Sequence, residues 1–144
     1  SGFYLNQFEA LHEALKSLDA QQKPTLLIGV SFALLDFCEQ YPMQLQHTTI
    51  METGGMKGRR KELVREALHE LLQKGFGVSN IHSEYGMTEM LSQAYSKGKG
   101  LFRPASSMQV LIRDVHEPNK ISKTGSGGIK STMLQLKGLQ LLVR

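Results

Sequence analysis

The stretch HTTIMETGGMKG, His47–Gly58, joins a β-strand signature directly to a glycine turn. Its first half, His47–Glu52, is rich in β-branched side chains, which favour extended backbone. Thr53–Gly58 follows and has glycine at positions 54, 55 and 58. Glycine tolerates positive φ and lets the backbone approach a flat ligand closely. A tight strand-to-helix connection also uses such a turn, so the pattern alone leaves a structural role and a binding role open.

Outward from this turn, helical and strand-like patterns alternate in both directions. Upstream, the patterns predict a helix from Phe8 to Leu18 capped by Asn6 and Glu9, a strand at Thr25–Val30, and a helix at 32–39 capped by Ser31. Downstream, they predict a helix over 63–74 closed by a left-handed glycine at 75–77, a strand at 78–82, a short helix through Tyr95 begun by Ser83 or Thr88, and a strand at 108–114.

This alternation predicts an α/β fold with a mainly parallel sheet and helices on both faces. The continuous apolar run TLLIGV at Thr25–Val30 is typical of a strand that is covered on both faces. Ligands of such sheets bind beyond the carboxyl ends of the strands. Thr53–Gly58 and Ser83–Glu89 each follow a predicted strand, so the sequence predicts a site at this edge.

The second turn carries more specific chemistry. Tyr85 offers an aromatic face, Gly86 a close backbone approach, Thr88 a hydroxyl and Glu89 a carboxylate. Magnesium prefers one or two carboxylates together with substrate phosphates, which Glu89 can provide. Helix capping by Thr88 and a favourable helix-dipole interaction of Glu89 are the structural alternatives.

The string YGMTE at Tyr85–Glu89 resembles the Tyr-Gly-x-Thr-Glu motif of the adenylate-forming superfamily. TGGMK at Thr53–Lys57 lies some thirty residues upstream, where that superfamily has its adenine-binding turn. The longer strings Ile50–Arg60 and Ile81–Glu89 look most like the acyl-protein synthetase branch, which includes fatty-acid ligases. The resemblance covers roughly residues 1–129 and implies a central subdomain of the adenylate-forming fold.

For the nucleotide base, the resemblance implies four contact residues. Gly54, Gly55 and Met56 would line the adenine, and Tyr85 would stack on it. Gly86 is expected to bind the cofactor as well, because glycine allows the backbone to come close.

For the chemistry, the resemblance implies ATP and Mg²⁺ as cofactors. Thr88 would bind the α-phosphate, and Glu89 would hold the metal, so these two are the expected catalytic residues. A fatty or other carboxylic acid would attack the α-phosphate to give an acyl-adenylate and pyrophosphate. The acyl group would then pass to a thiol of a protein or of coenzyme A. Fixed donors and a metal would stabilise the charge that builds on the phosphate oxygens.

Several parts of the family pattern have no counterpart in this sequence. The phosphate loop, the ribose-binding aspartate and the small mobile C-terminal domain with its lysine are not present. We therefore expect residues 1–129 to form a partial domain without turnover of its own, followed by a tail at 130–144 of uncertain structure. The alternative function is a catalytically inactive nucleotide-binding or interaction module that retains the fold.

Other functional classes receive less support. The net charge is +4, and the densest basic run, Lys57–Lys61, is followed by acidic residues and lacks interleaved aromatics. It reads as a solvated helix start, so we expect no nucleic-acid partner. His82, Ser83 and Glu84 are neighbours on one strand and point to opposite faces, so they cannot form a hydrolase triad. His82 either borders an acyl pocket or packs in the sheet.

Location and association follow from composition. The single cysteine, Cys38, lies in an apolar run and is expected to be a buried, inert thiol. No apolar run is long enough to span a membrane and no signal-peptide pattern is present, so a cytoplasmic domain is expected. An exposed sheet edge and apolar face would favour self-association.

Overall fold

The structure is a computed structural model that describes residues 2–86, 93–117, 119–125 and 128–133, with side chains up to residue 125. Its elements, in chain order, are α1 (Phe8–Ala20), β1 (Thr25–Val30), α2 (Ser31–Gln40), β2 (Thr48–Thr53), α3 (Arg65–Phe76), β3 (Ile81–Tyr85), β4 (Ala94–Ser96), β5 (Phe102–Pro104), β6 (Met108–Arg113), β7 (Ile121–Ser122) and β8 (Gly128–Met133). In the described ranges, no helix has the length and apolar character needed to cross a bilayer.

The chain divides into two compact units, Ser1–Glu84 with Ser96–Leu101, and Tyr85–Tyr95 with Phe102–Arg144. β8 crosses the boundary predicted at residue 129, because its backbone runs on to Met133. The remainder of the predicted tail, 134–144, lies outside the described residues.

In the first unit, β1, β2 and β3 are parallel neighbours joined by α2 and α3. Their register aligns two rows of inward-facing side chains across the three strands. One row is apolar and consists of Leu27, Ile50 and Ile81; the other consists of Gly29, Glu52 and Ser83. Side chains alternate between faces along each strand, so both rows lie on the same face of the sheet.

That inward face holds the hydrophobic core. All three helices contribute to one cluster with Ile50 and Ile81, and its helical members are Leu15, Leu34, Leu35, Phe37, Cys38, Leu68, Leu72 and Phe76. α2 and α3 pack closely because Gly75 presents no side chain to Cys38; a Cβ at Gly75 would lie 2.5 Å from the Cys38 Sγ. The expected buried thiol is thus confirmed, and burial raises the pKa of Cys38 to about 11.

The opposite face of β1 is open in the described part of the chain. Leu26 is 54% exposed and Ile28 is 50% exposed, although Leu27 between them packs on the core. The prediction that TLLIGV is covered on both faces is therefore wrong for the residues the structure describes. Apolar composition cannot tell a strand covered on both faces from one with an exposed apolar face.

The α/β class is confirmed, while the sheet arrangement is mixed rather than mainly parallel. Strands β1 to β5 follow one another in a five-stranded sheet in which the pairs β1–β2 and β2–β3 are parallel. A three-stranded antiparallel sheet, with β6 between β7 and β8, belongs to the second unit. Of its strands, the sequence predicted only β6, since β7 has two residues and β8 lies in a polar stretch that turns into the tail.

Several predicted helix ends differ from the structure. α1 begins after Gln7, without a side-chain cap, and Asn6 has a φ of 54°, so the predicted capping pair is absent. Ser31 is the first residue of α2 rather than its cap. Ser83 lies within β3 and Tyr95 within β4, so the prediction of a helix that begins at Ser83 or extends through Tyr95 is wrong. The rest of that predicted helix, residues 87–92, lies outside the described residues. The left-handed glycine after α3 is confirmed at Gly77, with a φ of 66°.

Candidate functional site

The glycine turn at Thr53–Gly58 follows β2 in the first unit, as predicted. Gly54 and Gly58 have φ values of 71° and 69°, which glycine adopts at little cost, and Lys57 has a φ of 49°. A Cβ at Gly54 would also lie 3.3 Å from the Val30 Cγ1. The geometry of the turn therefore explains why glycine occupies positions 54 and 58.

Gly55 differs from its neighbours. Its φ is not positive, and an added Cβ would meet no atom of the described chain within 4 Å. Neither backbone strain nor crowding accounts for glycine at this position. The missing side chain leaves open space beside the backbone, which a flat ligand could occupy.

Met56 lies on the other side of the turn, inside the core. Its side chain is only 2% exposed and belongs to the hydrophobic cluster. A contact between Met56 and adenine would therefore involve its backbone. The side chain anchors the turn to the core instead.

Directly beneath the turn, a buried polar cluster is built around Glu52. The Ser31 hydroxyl lies 2.9 Å from Glu52 Oε2, and His69 Nε2 lies 3.5 Å from Glu52 Oε1. Arg65 Nε is 4.0 Å from the same Oε1. Ser83 Oγ lies 3.2 Å from His69 Nε2. Glu52 is 3% exposed, and burial of an acidic side chain is stable only when such partners are present.

This cluster brings together a serine, a histidine and a carboxyl group, but its geometry is not that of a nucleophile relay. A relay needs the serine on one ring nitrogen of the histidine and the carboxylate on the other. Here Ser83 and Glu52 both approach His69 Nε2. Ser83 is also 0% exposed, so no substrate can reach its hydroxyl in this structure. The hydrolase alternative receives no support.

Sequence reasoning missed this cluster because its members are far apart along the chain. The available signal was the alternation in β2, where Thr48, Ile50 and Glu52 share the inward face. An acidic residue in an inward-facing register position predicts a buried partner, but the identity of that partner depends on helix packing. The sequence predicts a helix-capping role for Ser31, whereas its hydroxyl faces Glu52 in the structure.

The end of β3 lies beside the end of β2. Thr53 and Glu84 are register partners, and the Thr53 hydroxyl donates to Glu84 Oε1 over 3.4 Å. His82 pairs with Met51 on the outward face and is partly buried, so it is not a member of the Glu52 cluster.

The remaining predicted site residues belong to the second unit. Tyr85 is partly buried, and its ring makes an edge contact with Phe102 at a centroid distance of 6.1 Å. A Cβ at Gly86 would lie 3.2 Å from the Gln93 side chain, so glycine here also relieves crowding. Thr88 and Glu89, the expected phosphate and magnesium ligands, lie outside the described residues.

The basic run Lys57–Lys61 is not a helix start, because α3 begins at Arg65. Arg60 donates Nε to Asp36 over 2.7 Å and binds Glu39 with both terminal nitrogens, at 2.9 and 2.6 Å. These hydrogen bonds lower the pKa of Glu39 and raise that of Arg60. Arg59 lies over the Phe32 ring at 5.4 Å. Both arginines thus hold the segment after the turn against α2.

No group of three or more His, Cys, Asp or Glu side chains suited to a metal ion occurs in the described ranges. Comparisons with protein-family models, with curated proteins and with solved structures gave no match. The resemblance to the adenylate-forming superfamily therefore stays a prediction from the two turns.

Proposed function

We propose that this chain contributes to ATP-dependent activation of a carboxylic acid, with a fatty acid as the expected substrate class. The observation that carries the proposal is Gly55. It lies in a strand-to-helix turn beyond a parallel strand, and neither φ nor packing requires glycine there. If adenine packs against the open side of this backbone, a side chain at position 55 would occupy its space, and this would explain the glycine.

The other roles rest on the YGMTE motif. Tyr85 is the aromatic residue for stacking on the base, Thr88 the donor to the α-phosphate, and Glu89 the magnesium ligand. When bound, Mg²⁺ would neutralise charge on the phosphate oxygens during attack by the carboxylate. The acyl group would then be transferred to a protein or coenzyme A thiol. Cys38 is not a candidate for that thiol, because burial raises its pKa to about 11.

Binding and exchange measurements test this function. Calorimetry with Mg-ATP measures affinity, and ATP–pyrophosphate exchange with fatty acids of several lengths measures adenylation. Gly55→Ala and Tyr85→Ala should weaken Mg-ATP binding, whereas Tyr95→Ala, at an exposed tyrosine of β4, should leave it unchanged. Glu89→Gln should remove the magnesium dependence, and Glu117→Gln, at an exposed glutamate, is its matched control. If the chain binds no Mg-ATP and supports no exchange, the ligase proposal is wrong.

A second candidate is an interaction module without catalysis. Exposed Leu26 and Ile28 on the outward face of β1 favour it. Because this partial domain is expected to have no turnover of its own, exchange is measured both in this chain and in a longer protein that also carries the phosphate loop, the ribose-binding aspartate and the C-terminal domain. Mg-ATP binding without pyrophosphate exchange in either protein would select the interaction module.

A further inference from the structure

The Ser31 hydroxyl links the buried Glu52 to the backbone of the glycine turn. Its Oγ lies 2.9 Å from Glu52 Oε2, 3.4 Å from the Gly54 carbonyl oxygen and 3.5 Å from the Thr53 carbonyl oxygen. Ser31 is 0% exposed, so water does not compete for these contacts. One buried hydroxyl therefore contacts both the carboxyl group and the two peptide carbonyls that begin the turn.

A hydroxyl has one proton to donate, so it cannot serve three acceptors at once. The shortest distance makes Glu52 the preferred acceptor, and the Gly54 and Thr53 carbonyl oxygens are alternative or shared acceptors of the same proton at longer range. The hydroxyl can therefore hold the start of the turn only by sharing or turning its proton toward these carbonyls while Glu52 keeps the Ser31 oxygen in place. His69 and Arg65 in turn approach the other carboxyl oxygen of Glu52.

We infer that Ser31 and Glu52 are positioning residues for the Thr53–Gly58 turn. They set the backbone conformation at Gly54 and Gly55. Both side chains are buried, so neither is expected to touch a bound nucleotide. The consequence for nucleotide affinity rests on the proposed function, whereas the consequence for the turn itself does not.

Ser83 supplies a control from the same cluster. Its hydroxyl contacts His69, and His69 also contacts Glu52. Ser83 itself lies on β3, and among the described residues its hydroxyl makes no hydrogen bond to the backbone of the turn. Loss of the Ser83 hydroxyl should therefore perturb the buried cluster without moving the turn. A purely structural role of the cluster would make Ser31 and Ser83 equivalent.

The test uses the full chain labelled with ¹⁵N. The amide resonances and hydrogen-exchange rates of Gly54 and Gly55 report the turn, and calorimetry with Mg-ATP reports affinity. Ser31→Ala should shift both resonances, accelerate exchange of the two amides about tenfold and weaken Mg-ATP binding roughly three- to tenfold, the size expected for loss of one ordinary hydrogen bond. Ser83→Ala should leave both turn resonances in place and affinity within about twofold.

The inference is overturned if Ser31→Ala leaves the Gly54 and Gly55 resonances unchanged, or if Ser83→Ala shifts them equally. Should Ser31→Ala not fold, Ser31→Cys replaces it, because a thiol of similar size is a weaker donor. Unchanged resonances in Ser31→Cys would then overturn the inference. If the wild-type chain binds no Mg-ATP, the proposed function fails, and the resonances of the turn still decide whether Ser31 positions it.

Discussion

Ser31 and Glu52 are separated by 21 positions in sequence, yet the serine hydroxyl lies 2.9 Å from Glu52 Oε2 in the interior. The first residue of α2 and the inward-facing end of β2 thereby meet at the carboxyl edge of the parallel strands. This edge is where α/β sheets bind their ligands. The pair joins the core to the glycine turn that the proposed nucleotide would contact.

Substitution by alanine should lower the stability of the protein at Gly54 and leave it nearly unchanged at Gly55. Gly54→Ala forces a side chain into a backbone with a φ of 71° and toward the Val30 Cγ1, so we expect a loss of about 1–2 kcal/mol in the free energy of unfolding. Gly55→Ala meets neither obstacle and should keep the stability within about 0.5 kcal/mol. Urea unfolding of both variants measures this difference. Equal destabilisation by the two substitutions would contradict the assigned roles.

Ser83 should contribute to stability and not to hydrolysis. Ser83→Ala removes the hydroxyl that contacts His69, and we expect a cost of about 1–2 kcal/mol because a buried polar group loses a partner. Any background cleavage of a nitrophenyl ester by the wild-type chain should persist in this variant. Loss of that cleavage in Ser83→Ala alone, with His82→Ala as a control, would revive the nucleophile interpretation.

Cys38 should be unreactive in the folded protein. Burial raises its pKa from 9.0 to about 11, so the thiol stays protonated at pH 8 and should resist iodoacetamide until the chain is unfolded in urea. Rapid alkylation of the native protein, followed by mass spectrometry, would contradict this prediction.

The same thiol gives stability a defined pH dependence. Because the folded-state pKa is raised, the unfolded chain ionises first, and the contribution of Cys38 is present below pH 9 and lost as pH rises to about 11. The expected loss is roughly 2–3 kcal/mol. Wild type and Cys38→Ala should therefore differ in the slope of unfolding free energy between pH 9 and 11, and parallel slopes would argue against a buried neutral thiol.

The Arg60 ion pairs should contribute modestly, since all three side chains are partly exposed to solvent. Arg60→Lys keeps the charge and loses the two-nitrogen contact with Glu39, so we expect a loss of about 0.5–1 kcal/mol that shrinks in 1 M salt.

The pH dependence of this effect has the opposite sign to that of Cys38. The pKa of Glu39 is lowered by Arg60, so the stabilisation is present above the ordinary pKa of 4.5 and lost as pH falls through the lowered value. Thermal unfolding at pH 7 and pH 3, with Lys61→Gln as a control at an exposed lysine, measures it. A larger effect of Arg60→Lys at pH 3 than at pH 7 would contradict the assignment.

Self-association is expected from the sequence and stays a prediction. The exposed Leu26 and Ile28 on the outward face of β1 are the surface through which we expect it to occur. Ile28→Lys places a charge beside the exposed Leu26 on the outward face of β1 and should shift the chain toward monomer in sedimentation velocity. Leu71→Lys is the matched control, because Leu71 is a comparably exposed leucine on α3. Monomeric wild-type protein at high micromolar concentration would remove the prediction.

The parts of the fold that the sequence predicted are those set by local pattern. α3 and its left-handed Gly77 follow from helical periodicity and glycine chemistry, and β2 follows from β-branched composition. The side of a strand that is covered depends on where distant helices pack, which explains the error at Leu26 and Ile28.

The candidate site shows the same division. The glycine turn after β2 is predictable because its three glycines lie within five positions and follow a strand. Ser31, Glu52 and His69 were not predicted, since only the crossovers through α2 and α3 bring them together. The interior position of Met56 likewise depends on packing that no local pattern contains.

The row of Gly29, Glu52 and Ser83 across β1, β2 and β3 has a consequence for folding specificity. A slip of one residue between β1 and β2 would turn the carboxyl group of Glu52 toward the outward face and bring Met51 inward. If β2 slipped by two residues toward the start of β1, each side chain would keep its face of the sheet. Glu52 would then lie beside Leu27 of the apolar row instead of beside Gly29, and its carboxyl group would move away from Ser31. The first slip would expose apolar surface, and the second would bury the carboxyl group without its partners. The row of Gly29, Glu52 and Ser83 therefore favours a single alignment of the three strands.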